Sequence, residues 1–91
     1  MQNIENKSAK AQADYFLDIT SEVCPLTFVR TKLLIEKMAR GRTAEVRLQG
    51  AEPLENVPRA VKSQGLSILD LTPEDPHAGP YSIHRLRIHK P

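Results

Sequence analysis

The sequence predicts a small two-layer α/β sandwich: elements in the order βαβαββ, a four-stranded mixed sheet, and two helices on one face. Three observations support this. Stretches at 15–19, 43–48 and 81–89 alternate apolar and polar residues, the period of a half-buried strand. Between the first two runs a stretch of helical periodicity opens on Pro25 and closes on Gly41. The chain has 91 residues, 40% of them hydrophobic, which is enough for one small domain.

Residues 1–13 (MQNIENKSAKAQA) are polar, with Ile4 the one large aliphatic side chain. They bury too little apolar surface to offset the entropy of ordering, so a disordered tail is expected at 1–13 and a folded domain at 14–91. In the first strand Tyr15, Leu17 and Ile19 share one face, and Phe16 and Asp18 the other. The first helix is expected from Pro25 to about Arg40. Phe28, Thr31, Leu34, Ile35, Met38 and Ala39 form its core stripe, with Lys37 and Arg40 in the last turn and Gly41 as the terminating glycine. A narrower apolar line, Leu26, Val29 and Leu33, lies on the other side, flanked by Lys32 and Glu36 and by Arg30 and Lys37. It reads either as a docking patch or as ordinary exposed aliphatics.

The second strand, Thr43 to Leu48, turns Ala44, Val46 and Leu48 to one face. Strand, helix and strand make a βαβ unit, with parallel strands and a right-handed crossover. Gln49 to Glu55 reads as a connection containing Gly50 and Pro53. A short second helix is expected after it, capped by Asn56, with Pro58 in its first turn, Val57, Ala60 and Val61 inward, and Gly65 at its end. Leu66 to Leu71 is the third strand, and the adjacent Ile68 and Leu69 suggest a bulge. Thr72 to Pro80, with three prolines, is a loop. The fourth strand, Tyr81 to His89, places Ser82, His84, Leu86 and Ile88 on one side and Ile83, Arg85, Arg87 and His89 on the other; such basic residues suit a sheet edge.

Composition excludes several function classes. There is no tryptophan, and the four aromatics are Tyr15, Phe16, Phe28 and Tyr81, so aliphatic side chains must fill most of the core. Thirteen Lys and Arg against eleven Asp and Glu give a net charge of +2, too small to imply nucleic acid. Basic residues gather at Arg40, Arg42 and Arg47 and at Arg85, Arg87 and Lys90, as a solvated face or as a docking surface for an acidic partner. Aromatic stacking positions are missing from these clusters, so direct nucleic-acid binding is not expected. No metal is expected, because one cysteine and histidines at 77, 84 and 89 lack the paired spacing of a zinc site. No cofactor is implied, and phosphate-cradling glycine loops are absent. Neither a signal peptide nor a membrane span is found, and one free cysteine suits a reducing compartment, so a cytoplasmic protein is expected.

The chemistry starts at Cys24, the only cysteine. Pro25 suits a first helical position, which puts Cys24 at or beside the N-cap. The unpaired N–H groups and the dipole of a helix start favour thiolate over thiol, lowering a cysteine pKa from about 8.5. Glu22 opposes this weakly, while Arg30 and Lys32 support it. The competing reading is a small buried hydrophobe.

Leu17-Asp18, the six residues on to Cys24, Cys24-Pro25 and the amphipathic helix behind them resemble the TusA/SirA/YedF family of small sulfur carriers. The likeness extends from about Tyr15 to Lys90, through Asn56-Val57-Pro58 and the strand after Gly79-Pro80-Tyr81. The family's hallmark is Cys-Pro-x-Pro; here Thr27 replaces the second proline, and Ser21 stands where a glycine is usual. The resemblance implies a TusA-like domain in which Cys24 carries sulfur as a persulfide, a sulfurtransferase role if active. Asp18, where the family usually has an acid, would then organise the cysteine loop, or serve only as a loop cap. Pro25 and Thr27 would support the helix start, and Leu26, Val29, Arg30 and Leu33 would meet partners. Those partners are a sulfur donor, a cysteine desulfurase or rhodanese-like protein, and a downstream acceptor protein. The alternative is a diverged adaptor or regulatory binding module of the same fold.

Overall fold

The computed structural model describes residues 13–23 and 25–91. The chain runs β1 (Tyr15–Asp18), α1 (Leu26–Lys37), β2 (Thr43–Leu48), α2 (Ala51–Ser63), β3 (Ser67–Pro73) and β4 (His84–His89). The sheet order is β1-β2-β4-β3. β1 pairs with β2 in parallel, the arrangement that needs a crossover, and α1 supplies it. The other two pairings are antiparallel.

Strand alternation makes the core. Ala44, Val46 and Leu48 of β2 and Leu86 and Ile88 of β4 are completely buried on one face of the sheet. Leu34, Ile35 and Met38 around α1 and Val57 and Val61 of α2 close over them, with Ile19 and Leu66 at the margins. Both helices lie on this face and pack against each other. The expected two-layer architecture is therefore present. The predicted tail at 1–13 falls, up to residue 12, outside the described residues.

Four local expectations are corrected. α1 ends at Lys37 rather than Arg40, because Met38 turns to extended backbone and Lys90, just beyond β4, brings its ammonium to the last carbonyls. Its Nζ donates to Ile35 O at 2.7 Å and Met38 O at 3.0 Å, satisfying helix-end acceptors that the sequence assigned to local groups. Gly41 instead sits in the following turn, donating its N–H to Lys90 O.

The buried stripe of α1 keeps the expected Thr31, Leu34, Ile35 and Met38 and differs at its two ends. Thr27 and Thr31 are buried, whereas Phe28 is 42% exposed and Ala39 lies on the surface. Thr31 disposes of its hydroxyl on Thr27 O at 2.8 Å, so a polar residue enters the core without an unsatisfied group.

The second helix is longer than expected. It begins at Ala51, not near Asn56, and spans 13 residues, with Gly50 at its N-cap and Leu54 N bonded to Gly50 O at 3.1 Å. Pro53 occupies the first turn, where a missing N–H costs no intrahelical bond. Pro58, expected to start the helix, lies inside it.

Finally, β4 is internal and begins at His84 rather than Tyr81, while β1 and β3 form the edges. Its basic residues are paired across the sheet rather than guarding an edge, because β3 continues to Pro73 and docks along β4's far side. The expected bulge is present: register passes from Ile68 opposite Ile88 to Asp70 opposite Arg87, leaving Leu69 as the extra residue. It returns Leu71 to the face of Leu86.

Gly50 has φ +101° and ψ 152°, a region essentially reserved for glycine, and an added Cβ would meet Pro53 Cδ at 3.4 Å. Gly50→Ala is expected to cost about 1–3 kcal/mol, seen as a lower urea midpoint at unchanged m-value.

Candidate functional site

Cys24 lies outside the described residues; the segments that flank it are Ile19 to Val23 and Pro25 to Val29. The first segment leaves β1 in a turn that Asp18 closes. One carboxylate oxygen, Oδ1, accepts from Thr20 N at 2.9 Å and from Thr20 Oγ1 at 2.7 Å. The other, Oδ2, accepts from Arg47 Nη1 at 3.1 Å. These bonds, those of Thr20 foremost, hold the Asp18 carboxyl below the usual carboxylate range. Asp18 is thus a loop cap that is also tied to the neighbouring strand. The loop backbone is fastened further by Ile19 N on Arg47 O at 2.9 Å, Glu22 N on Ile19 O at 3.1 Å, and Gln49 Nε2 on Thr20 O at 3.0 Å.

Parallel register explains the Asp18–Arg47 contact. The two residues are directly paired on the outward faces of β1 and β2. On its other side Arg47 stands opposite Arg85 of β4, a like-charge pair that would be unfavourable alone. Glu74, just past β3, resolves it: Oε2 accepts from Arg47 Nε and from Arg85 Nε, each at 2.6 Å, and Oε1 from Arg47 Nη2 at 3.1 Å. Arg85 Nη1 also donates to Glu45. Arg87 pairs with Asp70 at 3.5 Å. Hydrogen bonds to Arg47 and then Arg85 depress the Glu74 carboxyl to about 2 and raise both arginines above their ordinary value. The basic side chains that the sequence left open to an acidic partner, Arg47, Arg85 and Arg87, are therefore neutralised within the sheet.

The second flank is the start of α1. Pro25 occupies the N-cap rather than the expected first helical position, which Leu26 takes, with Leu26 N on Val23 O at 2.7 Å and Val29 N on Pro25 O at 3.0 Å. The first turn contains no acidic residue, so nothing there neutralises the positive end of the dipole. Glu22 is drawn to Arg30, with Nε 3.4 Å from its carboxylate, which sets the one nearby acid against a cation.

The predicted residues thus divide. Asp18 and Pro25 sit at the two ends of the cysteine segment. Thr27 is buried behind the helix start rather than lining the loop. Leu26, Val29 and Leu33 are 48%, 43% and 59% exposed, and Val23 extends the same surface at 70%. Arg30 is on the rim, and Leu33 and Phe16 of the edge strand both line a shallow depression with Arg30 and Lys37. On the opposite side of the helix start, an apolar groove of about 470 Å³ separates α1 from α2, lined by Pro25, Thr27, Phe28, Asn56, Val57, Arg59, Ala60 and Ser63.

Sequence reasoning missed Arg47, Gln49, Glu74 and this groove. Arg47 could have been found by setting the outward residues of two parallel strands side by side. Glu74 lies in a proline-rich stretch with no periodic signal. Among the described residues no group of three or more His, Cys, Asp or Glu is arranged to hold a metal, and no helix is long and apolar enough to cross a membrane.

On this four-stranded sheet a short parallel strand leads through the Cys24-Pro25 segment to a helix. The family model of the sulfurtransferase TusA matches residues 15–89, from β1 to the end of β4. The chain belongs to the TusA family. Among similar proteins, a proposed sulfur carrier of Archaeoglobus fulgidus is 37% identical over 65 residues, covering 71% of this chain and 74% of that protein. One from Thermotoga maritima, described in the same terms, is 35% identical over 63 residues, 69% of this chain and 80% of its own. The Escherichia coli protein YedF, also a proposed sulfur carrier, is 29% identical over 63 residues, with 69% and 82% covered. Membership in a sulfur-carrier family implies meeting sulfur donor and acceptor proteins in general.

The ion-pair network of this TusA-family sheet gives a pH prediction. Because the folded Glu74 carboxyl titrates near 2 instead of 4.5, its contribution to stability is full above about pH 4.5 and lost as pH falls through about 2. Glu74→Gln should lower the urea midpoint at neutral pH. The gap from the native protein should close between pH 4.5 and pH 2; a gap constant over that window would contradict the pairing.

Proposed function

We propose that the protein accepts persulfide sulfur on Cys24 from a cysteine desulfurase or rhodanese-like donor and relays it to an acceptor protein. The observation that carries this reading is the family match across the whole sheet, with Cys24-Pro25 at the entrance to α1. In the transfer, the Cys24 thiolate attacks the outer sulfur of the donor persulfide. A new S–S bond forms at Cys24, the donor's own S–S bond breaks, and the donor leaves as a thiolate. At the acceptor, a thiolate attacks the outer sulfur of the Cys24 persulfide; an S–S bond forms on the acceptor, the S–S bond at Cys24 breaks, Cys24 leaves as a thiolate, and no net oxidant is needed.

Two features of the surroundings support that chemistry. The start of α1 supplies the positive end of a helix with no acid in its first turn, which favours the thiolate. The Glu22–Arg30 pair removes the main local opposition to that effect. The exposed line of Val23, Leu26, Val29 and Leu33, with Arg30 at its rim, is the proposed surface for donor and acceptor, since a carrier must bind two proteins in turn and release both. Asp18, Pro25 and Thr27 are proposed to hold the loop and helix start in place. A carrier that works through a free thiol is suited to the reducing cytoplasm.

The test is intact-protein mass after incubation with a cysteine desulfurase and cysteine, then with a reductant, for the native chain and Cys24→Ser. The expected result is a reductant-sensitive gain of one sulfur atom in the native chain alone, with Cys24→Ser folded as judged by circular dichroism. Absence of the gain with several unrelated donors, while the thiol still alkylates readily, would overturn the carrier reading in favour of an adaptor role.

A further inference from the structure

We propose that Arg47 is a positioning residue for Cys24: it fixes the carboxylate of Asp18 and, together with Gln49, holds the loop that leads to the thiol, a role that rests on the sulfur-carrier reading of that cysteine. β2 is the inner strand beside β1, and Arg47 near its end and Gln49 just past it contact β1 and the cysteine loop at three points. Arg47 O accepts from Ile19 N at 2.9 Å, Arg47 Nη1 donates to Asp18 Oδ2 at 3.1 Å, and Gln49 Nε2 donates to Thr20 O at 3.0 Å. Asp18 then spends its other oxygen on both donors of Thr20, at 2.9 and 2.7 Å. Of these three connections, the one made by the Arg47 side chain reaches the turn through the Asp18 carboxylate.

The guanidinium is in turn held by two bonds to Glu74, at 2.6 and 3.1 Å. A planar fork engaged by two carboxylates has one orientation, whereas a lysine ammonium cannot reproduce both contacts. A nucleophile aligned with a helix start is sensitive to the set of the preceding loop, because the dipole acts only over the first turn. Glu74 and Gln49 lie at one rim, where a shallow cleft with Asp75, Ala78, Ser82 and Ile83 leaves the loop after β3 against this support.

The test compares the full-length native chain with Arg47→Met, Arg47→Lys, Asp18→Asn and the Asp18→Asn/Arg47→Met double variant. Two readouts are taken: the rate of Cys24 alkylation by iodoacetamide at pH 7, and amide hydrogen exchange. Arg47→Met is expected to slow alkylation about three- to tenfold as the thiolate fraction falls. It should speed exchange at Thr20 and Glu22 about tenfold or more, while Val46 and Leu86 keep their protection. Arg47→Lys should fall between, and the double variant should be no slower than Arg47→Met. Unchanged alkylation, or a loss of protection spread evenly through the core, would overturn the proposal. Alkylation needs no sulfur donor, so failure of sulfur uptake and failure of this positioning role register separately.

Discussion

The parallel pairing of β1 with β2 is the constraint on which the rest of this molecule depends. It forces a crossover, so α1 must lie on the sheet; it sets Asp18 directly beside Arg47; and it brings the end of β1 to the point where the chain turns into the helix. β2 satisfies two demands at once. Its inner residues Ala44, Val46 and Leu48 are completely buried against the helices, while its outer Arg47 joins charges drawn from β1, β4 and the end of β3. A one-residue slip of this strand would exchange those two sets and lose both the core and the network.

The open face of the sheet follows from the same alternation. A two-layer sandwich leaves one side of its sheet in water, and here that side carries Asp18, Arg47, Glu74, Arg85, Glu45, Arg87 and Asp70 as linked pairs. Such exposed pairs contribute little individually to stability. Their value lies in geometry: one end of the chain of contacts is the carboxylate that closes the turn before Cys24, and from there it runs through Arg47, Glu74 after β3 and Arg85 to Glu45 of β2. Apolar surface, by contrast, is concentrated around the helix start, on the line Val23, Leu26, Val29 and Leu33 and in the groove beside Phe28. The molecule thus separates a charged, self-neutralised face from an apolar region next to its one cysteine.

Much of the fold was legible because its signals are local. Alternation fixed the faces of β1 and β2 and showed the bulge at Leu69, and the Cys24-Pro25 pair marked the helix entrance and the family. The errors have a common cause. Pro58 reads as a first-turn proline because nothing local distinguishes it from Pro53, which holds that place. Phe28 was assigned to the core over Thr27 because hydropathy ignores a hydroxyl that bonds back to its own helix, as that of Thr31 does. Arg85 and Arg87 read as edge residues because their acidic partners are distant in sequence, Glu45 lying 40 residues from Arg85.

The sequence by itself determined the order of elements and the inward faces of the strands. Each of these follows from side-chain period or from the backbone limits of proline and glycine, which act over a few residues. Only the tertiary structure decided that β4 lies inside the sheet, that Lys90 closes α1, and that Arg47, Gln49 and Glu74 converge beneath the loop leading to Cys24. Those outcomes depend on strand order and register, which are set by burying the whole apolar set at once; no window of neighbouring residues contains that information.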